Sequence, residues 1–185
     1  MIDIMFISPD SSREVYQGLA DRYSAIEPPV WCLLLAGAMR QKYDVQILDP
    51  LAERLNDHEA LKRVMIANPK LICFVVYGQN PNSGTTNMAG AIRLATYIRQ
   101  MMPNKIAFIG SHPSALPGET LKLPCVDYVL PGDGLEGLCK IMEGEEPGII
   151  WSKQSDFNYY AWDLIPSLDH YRAHVWHCNF DESKR

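Results

Sequence analysis

The chain alternates short apolar runs with longer segments of helical periodicity. Five runs predict strands, because each is brief, mostly apolar and followed by turn-forming residues. They span residues 3–7, 45–48, 71–76, 106–109 and 127–130. The third run, LICFVV, lacks polar alternation, which is typical of a central strand buried on both faces. The connections are long enough for parallel pairing, so the pattern predicts a doubly wound, mainly parallel five-stranded α/β sheet of Rossmann-like form.

Helical stripes lie between these runs. After Pro28 and Pro29, one stripe is predicted to be buried as a unit: Trp31, Leu34, Leu35, Ala38 and Met39. Asp57 is predicted to cap a second helix, whose buried face is Leu61, Val64 and Met65. A third stripe comprises Met88, Ala91, Ile92, Ala95, Ile98 and Met102, and shorter helices are expected at 119–123 and 135–142.

The periodicity ends near a Gly- and Pro-containing stretch at residues 144–148. The segment beyond it is rich in Trp, Tyr, Asp and His and has no helical stripe. We therefore expect one domain over residues 1–148 and an irregular linker over residues 149–185.

Composition narrows the function classes. Hydrophobic residues make up 47% of the 185 residues, and the formal net charge is −5. This acidic balance argues against nucleic-acid partners and anionic membrane surfaces, which require a basic face. There is no apolar run long enough for a membrane span and no signal-peptide pattern. The five cysteines are scattered without CxxC spacing, so we expect reduced thiols, no metal cluster and a cytoplasmic location.

Polar turns follow four of the predicted strands, at the edge where open α/β sheets bind ligands. The candidates are Ser8 and Pro9; Tyr77, Gly78, Gln79 and Asn80; Gly110, Ser111, His112, Pro113 and Ser114; and Gly132, Asp133 and Gly134. Fixed amides in the loop from residue 77 to residue 84 could hold a polar ligand, although an unliganded turn explains them equally well. His112 could bind a ligand or hydrogen-bond its own turn.

The common phosphate and hydrolase motifs are missing. No GxGxxG follows the first strand, and GxxxxGK[ST] and GxSxG do not occur. The turn at Gly132 could favour a phosphate at a helix N-terminus, but Asp133 and Glu136 would repel one. His174, His177 and Cys178 lack the second half-site of a structural zinc centre. We predict neither a catalytic residue nor a metal ligand.

Several motifs in order resemble one family over nearly the whole chain. They are Pro28-Pro29, Ile47-Leu48-Asp49, Gly110-Ser111-His112-Pro113-Ser114 with Leu116-Pro117, Val126-Asp127-Tyr128-Val129 and Gly132-Asp133-Gly134. Together they resemble the N-terminal cobalamin-binding domain of cobalamin-dependent radical S-adenosylmethionine enzymes. The segment at residues 161–174 is similar to the linker that joins this domain to the radical barrel.

The resemblance implies that cobalamin lies across the carboxyl edge of the sheet. The lower face of the corrin would rest on the loops after the first and third strands, and the nucleotide tail would run near the turns at Gly110 and Gly132. It implies a methyl-carrier role in methylation of an unactivated carbon. S-adenosylmethionine and a [4Fe–4S] cluster would bind only in a barrel domain outside this chain, because CxxxCxxC is absent here.

Two departures qualify the resemblance. The Asp-x-His-x-x-Gly motif is absent, so no axial His is predicted; the lower face is either vacant or approached by Tyr77 or Gln79. Gly-Asp-Gly-Leu-Glu also stands where the family commonly has Gly-Glu-Gly-Glu.

Two alternatives stay open: a degenerate domain acting as an assembly module, and a stand-alone corrinoid carrier. If the turns hold the tail, Gly110→Leu or Gly132→Leu should abolish cofactor retention and leave the fold intact.

Overall fold

A computed structural model describes residues 1–16, 25–78 and 81–172 of the chain, without the side chains of residues 16 and 81–83. The strands are β1 (Ile4–Ile7), β2 (Val45–Leu48), β3 (Leu71–Val76), β4 (Lys105–Gly110), β5 (Tyr128–Leu130) and β6 (Gly148–Ile149). The helices are α1 (Ser12–Tyr16), α2 (Val30–Met39), α3 (Asp57–Ala67), α4 (Pro81–Met101), α5 (Ser111–Ala115), α6 (Pro117–Leu121) and α7 (Leu135–Met142). Short 3-10 turns follow at Trp162–Leu164 and Leu168–His170.

The six strands form one parallel sheet in the order β2-β1-β3-β4-β5-β6. This order reverses direction between β1 and β3, as in flavodoxin-like folds. The predicted doubly wound α/β class is confirmed. The predicted count of five strands is one too low, because Gly148 and Ile149 pair with Tyr128 and Val129 across the expected domain boundary.

Apolar side chains cover both faces of the sheet. Helices α3 and α4 pack on one face, where Phe74 and Phe108 lie 5.2 Å apart between ring centroids. Helices α2 and α7 pack on the other face. Leu71–Val76 is buried at every position, as the absence of alternation predicted. Burial on both faces explains why its sequence has no polar residue.

The predicted stripe of α2 is wrong in part. Trp31, Leu34 and Ala38 are only half-buried, whereas Cys32, Leu33, Leu35, Ala36, Gly37 and Met39 are buried. Residues 159–161 explain the difference, because they cover a second side of this helix. The Ala161 amide donates to the Leu33 carbonyl at 3.1 Å, and a side chain at Gly37 would collide with the Tyr159 carbonyl.

Three local predictions also need correction. Asn56, not Asp57, caps α3: its side chain accepts from the Glu59 amide while the Glu59 carboxylate accepts from the Asn56 amide. Met65 is 47% exposed, so the buried face of this helix is Ala60, Leu61 and Val64. Helix α4 begins at Pro81, inside the predicted loop, because proline suits the first helical turn.

The segment after β6 packs against the domain and is called the strap here (residues 150–172). Ile150 and Ala161 are buried, and Arg40 makes a two-point ion pair with Asp163 at 2.6 and 2.9 Å. In the described part of the chain, none of the helices is long and apolar enough to cross a membrane.

Candidate functional site

A cleft opens at the carboxyl edge where the sheet order reverses. β1 and β3 are neighbours, but α2, which follows β1 and α1, covers the face of the sheet opposite to α4, which follows β3, so the chain diverges above these two strand ends. The cleft has a volume of about 340 Å³. Its walls come from the loop after β1, the end of β3, the start of α2 and the first turns of α4. The space therefore follows from the order of the strands and does not depend on small side chains at one position.

Four predicted residues line this cleft: Ser8, Pro9, Tyr77 and Gly78. Gln79 and Asn80 lie outside the described residues. Other lining residues were not predicted as site residues, among them Ser11, Pro28, Pro29, Trp31 and Asn87. The Pro28-Pro29 pair was a usable signal, since rigid residues that precede a helix and carry no polar side chain suit the wall of a preformed site.

Side-chain hydrogen bonds hold the two walls of the cleft together. The buried Ser11 hydroxyl donates to the Asn87 carbonyl at 3.0 Å and accepts from the Gly90 amide at 2.8 Å. The side-chain amide of Asn87 in turn donates to the Tyr77 carbonyl at 2.8 Å. The loop after β1 and the end of β3 are therefore both fixed to α4, which makes the cleft a preformed feature.

An aromatic pair forms one side of the cleft. The rings of Trp31 and Tyr77 stack with centroids 4.4 Å apart, and Phe157 of the strap meets Trp31 edge-on at 6.0 Å. The Tyr77 hydroxyl donates to the Gly132 carbonyl at 3.0 Å. Burial, and then the nearby Asp133 charge, raise the pKa of Tyr77 to about 12, so the hydroxyl keeps its proton at neutral pH. To approach a cofactor in the cleft, the Tyr77 hydroxyl would first have to break its hydrogen bond to the Gly132 carbonyl.

The predicted residues after β4 form a short helix rather than an open turn, and their side chains diverge. His112 Nδ1 lies 3.2 Å from the Thr85 hydroxyl, and the buried Ser111 hydroxyl faces Gly84 without a hydrogen-bond partner among the described residues. Both are thus directed to α4. Pro113 is buried. Only Ser114 reaches the next turn: it donates to the Gly110 carbonyl at 2.7 Å and accepts from the Gly132 amide at 3.0 Å.

Close packing within the chain explains the glycines of these turns. A Cβ at Gly110 would lie 2.1 Å from the Val76 carbonyl oxygen, and one at Gly132 would lie 2.9 Å from that of Ser152. Gly134 faces the Ile109 side chain in the same way. All three have positive φ. The expectation that Gly110→Leu leaves the fold intact is therefore wrong, because leucine would collide with a neighbouring strand.

The strap occupies much of the turn after β5. The Ser152 hydroxyl accepts from the Gly137 amide at 3.0 Å, and the Glu136 carboxylate accepts from the Lys153 amide at 3.2 Å. Asp133 accepts from the amides of Leu135 and Ser155. Because Asp133 and Ser152 already accept from the Leu135 and Gly137 amides, this helix N-terminus is poorly suited to a phosphate.

A buried carboxylate lies at the carboxyl end of β2, near the cleft. Asp49 is 3% exposed and accepts from the Ala52 amide at 3.2 Å and the Tyr171 hydroxyl at 3.2 Å. Burial raises its pKa to about 6, and these two hydrogen bonds act in the opposite direction. The adjoining His170 Nδ1 is 3.0 Å from the Ala52 carbonyl, so the strap ends on this edge.

Metal ligands do not converge in the part of the chain that the structure covers. No group of three or more His, Cys, Asp or Glu side chains there could hold an ion. His174, His177 and Cys178, which were considered as ligands, lie outside the described residues.

Comparison with known proteins decides the family. A family model of the B12-binding domain matches residues 16–141, which is more than half of the chain. The chain belongs to the B12-binding domain family. A curated relative, an uncharacterised methyltransferase from Pyrococcus horikoshii, is 28% identical over 109 residues, covering 58% of this chain and 22% of the relative.

Two solved structures share the fold of this B12-binding domain. Both are of the radical S-adenosylmethionine methyltransferase TsrM from Kitasatospora setae. One holds tryptophan and a S-adenosylmethionine analogue and gives a TM-score of 0.54 at 15% identity, covering 76% of this chain and 25% of TsrM. The other holds cobalamin and a [4Fe–4S] cluster. It gives a TM-score of 0.53 at 16% identity, covering 76% of this chain and 24% of TsrM. The chain therefore spans about a quarter of the length of these relatives.

The B12-binding domain fits its cofactor unequally along the carboxyl edge. The cleft between the loops after β1 and β3 is preformed, and Ser8, Pro9, Pro28 and Gly78 give it walls of small or rigid residues. A flat corrin ring, which exposes mainly apolar surface with amides at its rim, suits such walls. The turn after β5, in contrast, is covered by Tyr77 and the strap.

Proposed function

We propose that this B12-binding domain holds cobalamin in the cleft between the loops after β1 and β3, as the methyl-carrier part of a radical S-adenosylmethionine enzyme. The observation that carries the proposal is the preformed cleft at the point where the strand order reverses, in a chain of the B12-binding family. The likeness to TsrM, a radical S-adenosylmethionine methyltransferase, supports the finer part of the proposal.

In this proposal the chain binds and orients, and it supplies no catalytic residue. Cobalamin would contribute a cobalt centre able to accept and donate a methyl group. Ser8 and Pro9 would support the corrin on one side of the cleft and Gly78 on the other, while the Ser11–Asn87 network keeps these walls at a fixed separation. A fixed separation reduces the entropy lost when the cofactor binds.

We propose further that a second domain supplies the remaining cofactors. S-adenosylmethionine and the [4Fe–4S] cluster would be held there, and the enzyme would methylate an unactivated carbon. The relatives leave room for such a domain, because this chain covers only 22–25% of their length. Residues 149–185 would then connect the two domains, and the B12-binding domain would comprise residues 1–148.

The test is retention of hydroxocobalamin. Purified protein is mixed with the cofactor, freed of unbound cofactor by gel filtration and examined by visible absorption. Val30→Trp should lower retention at least tenfold, because Val30 lines the cleft and is 44% exposed, so the larger ring can enter the cleft without disturbing the core. Ile66→Trp is the matched control: this helical residue is 81% exposed and does not line the cleft.

The outcomes separate the alternatives. Wild-type protein that is folded but retains no corrinoid would favour the degenerate assembly module. Retention that Val30→Trp leaves unchanged would place the cofactor elsewhere. A stand-alone carrier would retain cobalamin and transfer its methyl group to an added protein partner, whereas the fused enzyme would need the second domain in the same chain.

A further inference from the structure

The candidate cofactor-binding residues lie on two sides of one side chain. Ser8, Pro9 and Gly78 line the open cleft, whereas Gly132 and Gly134 belong to the turn after β5. Because the sheet runs β3-β4-β5, the end of β4 lies between these two regions. Tyr77 begins at the end of β3, and its hydroxyl reaches the Gly132 carbonyl at 3.0 Å. The Tyr77 side chain therefore lies across the edge at the end of β4.

Two contacts keep the Tyr77 side chain in this position, and the strap supports both of them. Its ring stacks on Trp31 at 4.4 Å between centroids, and Phe157 packs edge-on against Trp31 at 6.0 Å. Its hydroxyl is bonded to a turn that the strap holds in place through Ser152. Tyr77 itself is attached to the turn by that one side-chain hydrogen bond, so rotation of the ring requires no break in the backbone ladder.

We propose that Tyr77 is a gate that determines corrinoid specificity: closed on Gly132 it admits a corrin ring to the cleft, and it must open before a nucleotide tail can pass toward β5. This inference rests on the proposed cobalamin binding. A corrin ring would rest over the mouth of the open cleft and need not pass Tyr77 to do so. Cobalamin carries, in addition, a nucleotide tail that extends away from the ring, and a tail directed toward β5 meets the Tyr77 bridge first.

The gate makes corrinoids with and without a tail behave differently. Cobinamide, which lacks the nucleotide tail, would enter the cleft without moving Tyr77. Association of cobalamin would require that the Tyr77 hydroxyl first break its hydrogen bond to the Gly132 carbonyl. Tyr77→Phe keeps the ring on Trp31 and removes only the hydrogen bond. Loss of one neutral hydrogen bond corresponds to about a fivefold change in the closed-to-open ratio.

The experiment measures association rates of both corrinoids by stopped-flow visible absorption. Tyr77→Phe should accelerate association of hydroxocobalamin about fivefold and change that of cobinamide less than twofold. Tyr128→Phe is the matched control, since Tyr128 also donates its hydroxyl to a backbone carbonyl, that of Glu145 at 3.1 Å, away from the cleft. Both rates should be unchanged in this control. Urea midpoints establish that each variant is folded.

Two results would overturn the gate. If Tyr77→Phe accelerates both corrinoids equally, or neither, Tyr77 does not discriminate the tail, and cobalamin binding itself still stands. If wild-type protein retains neither corrinoid, the proposed function fails, and the gate fails with it.

Phe157→Ala supplies a second variant, because it removes the edge-on contact that supports Trp31. It should also increase the association rate of hydroxocobalamin more than that of cobinamide.

Discussion

Polar turns follow the strands in both halves of the carboxyl edge, yet one half is open and the other is closed. Around β1 and β3, small and rigid residues border an open cleft whose walls are joined by Ser11 and Asn87. Around β4 and β5, a more glycine-rich stretch is closed by the chain itself, through Val76, Ser152 and Tyr77. Glycines in a turn at a strand end can thus make room for another segment of backbone and not for a ligand.

The difference teaches which signal is informative. Residues 110–114 and 132–134 were predicted as site residues from their composition, yet a Cβ at any of their three glycines would lie within 2.1–2.9 Å of the chain's own atoms. The cleft arises from topology, because α2 and α4, the long helices that come after β1 and β3, cover opposite faces of the sheet. Strand order therefore predicts the site better than glycine content does.

The largest effect should come from Gly110→Ala. A methyl group there would lie 2.1 Å from the Val76 carbonyl oxygen, at a φ of +149° that residues with a side chain rarely adopt. We expect a loss of about 3 kcal/mol in the free energy of unfolding, measured by urea titration. Gly118→Ala is the control, since nothing lies within 4 Å of its Cβ. A loss below about 1 kcal/mol for Gly110→Ala would show that the turn after β4 can open. The half of the edge around β4 and β5 would then not be closed by its own packing.

A smaller effect should come from the buried Asp49 carboxylate at the carboxyl end of β2, the strand next to β1. The folded-state pKa of Asp49 is about 6 and its ordinary value is 3.8, so the native state binds the proton more tightly. Burial therefore favours folding at low pH, and this contribution is lost as pH rises through 6. When the pH is lowered from 7.5 to 5, the free energy of unfolding of the wild type should rise by roughly 1.5 kcal/mol relative to that of Asp49→Asn.

Tyr171 offers a complementary check on that carboxylate. Its hydroxyl donates to Asp49 and lowers the pKa, so Tyr171→Phe should move the transition to higher pH. Denaturant titrations across the pH range measure both effects. Parallel pH profiles for wild type and Asp49→Asn would mean that the carboxylate is solvated and that the strap does not close over β2.

The smallest effect should come from the strap on the closed half. Ser152→Ala removes the acceptor of the Gly137 amide, and we expect about 1 kcal/mol of destabilisation together with faster hydrogen exchange at that amide. Ser167→Ala, an exposed serine remote from the turn, should leave the exchange rate of Gly137 unchanged. Equal exchange in wild type and Ser152→Ala would mean that the strap does not cover the turn.

Much of the fold was accessible from patterning, and the failures have physical reasons. The apolar run at Leu71–Val76 and the helix at Leu135–Met142 were predicted at the observed bounds. Gly148–Ile149 was missed because a two-residue strand has no periodicity and depends on pairing with β5. The buried face of α2 was misassigned because nearly every residue of that helix is apolar, so its orientation depends on what covers it.

The sequence alone determined the α/β class, the order of the first five strands and the resemblance to the B12-binding family, because these depend on local apolar periodicity and on motifs that keep their order along the chain. Only the tertiary structure decided which polar turns face open space. That outcome depends on contacts between residues far apart in sequence, such as Tyr77 with Gly132 and Ser152 with Gly137. No local pattern encodes those contacts, since the strand order and the path of the strap bring the partners together.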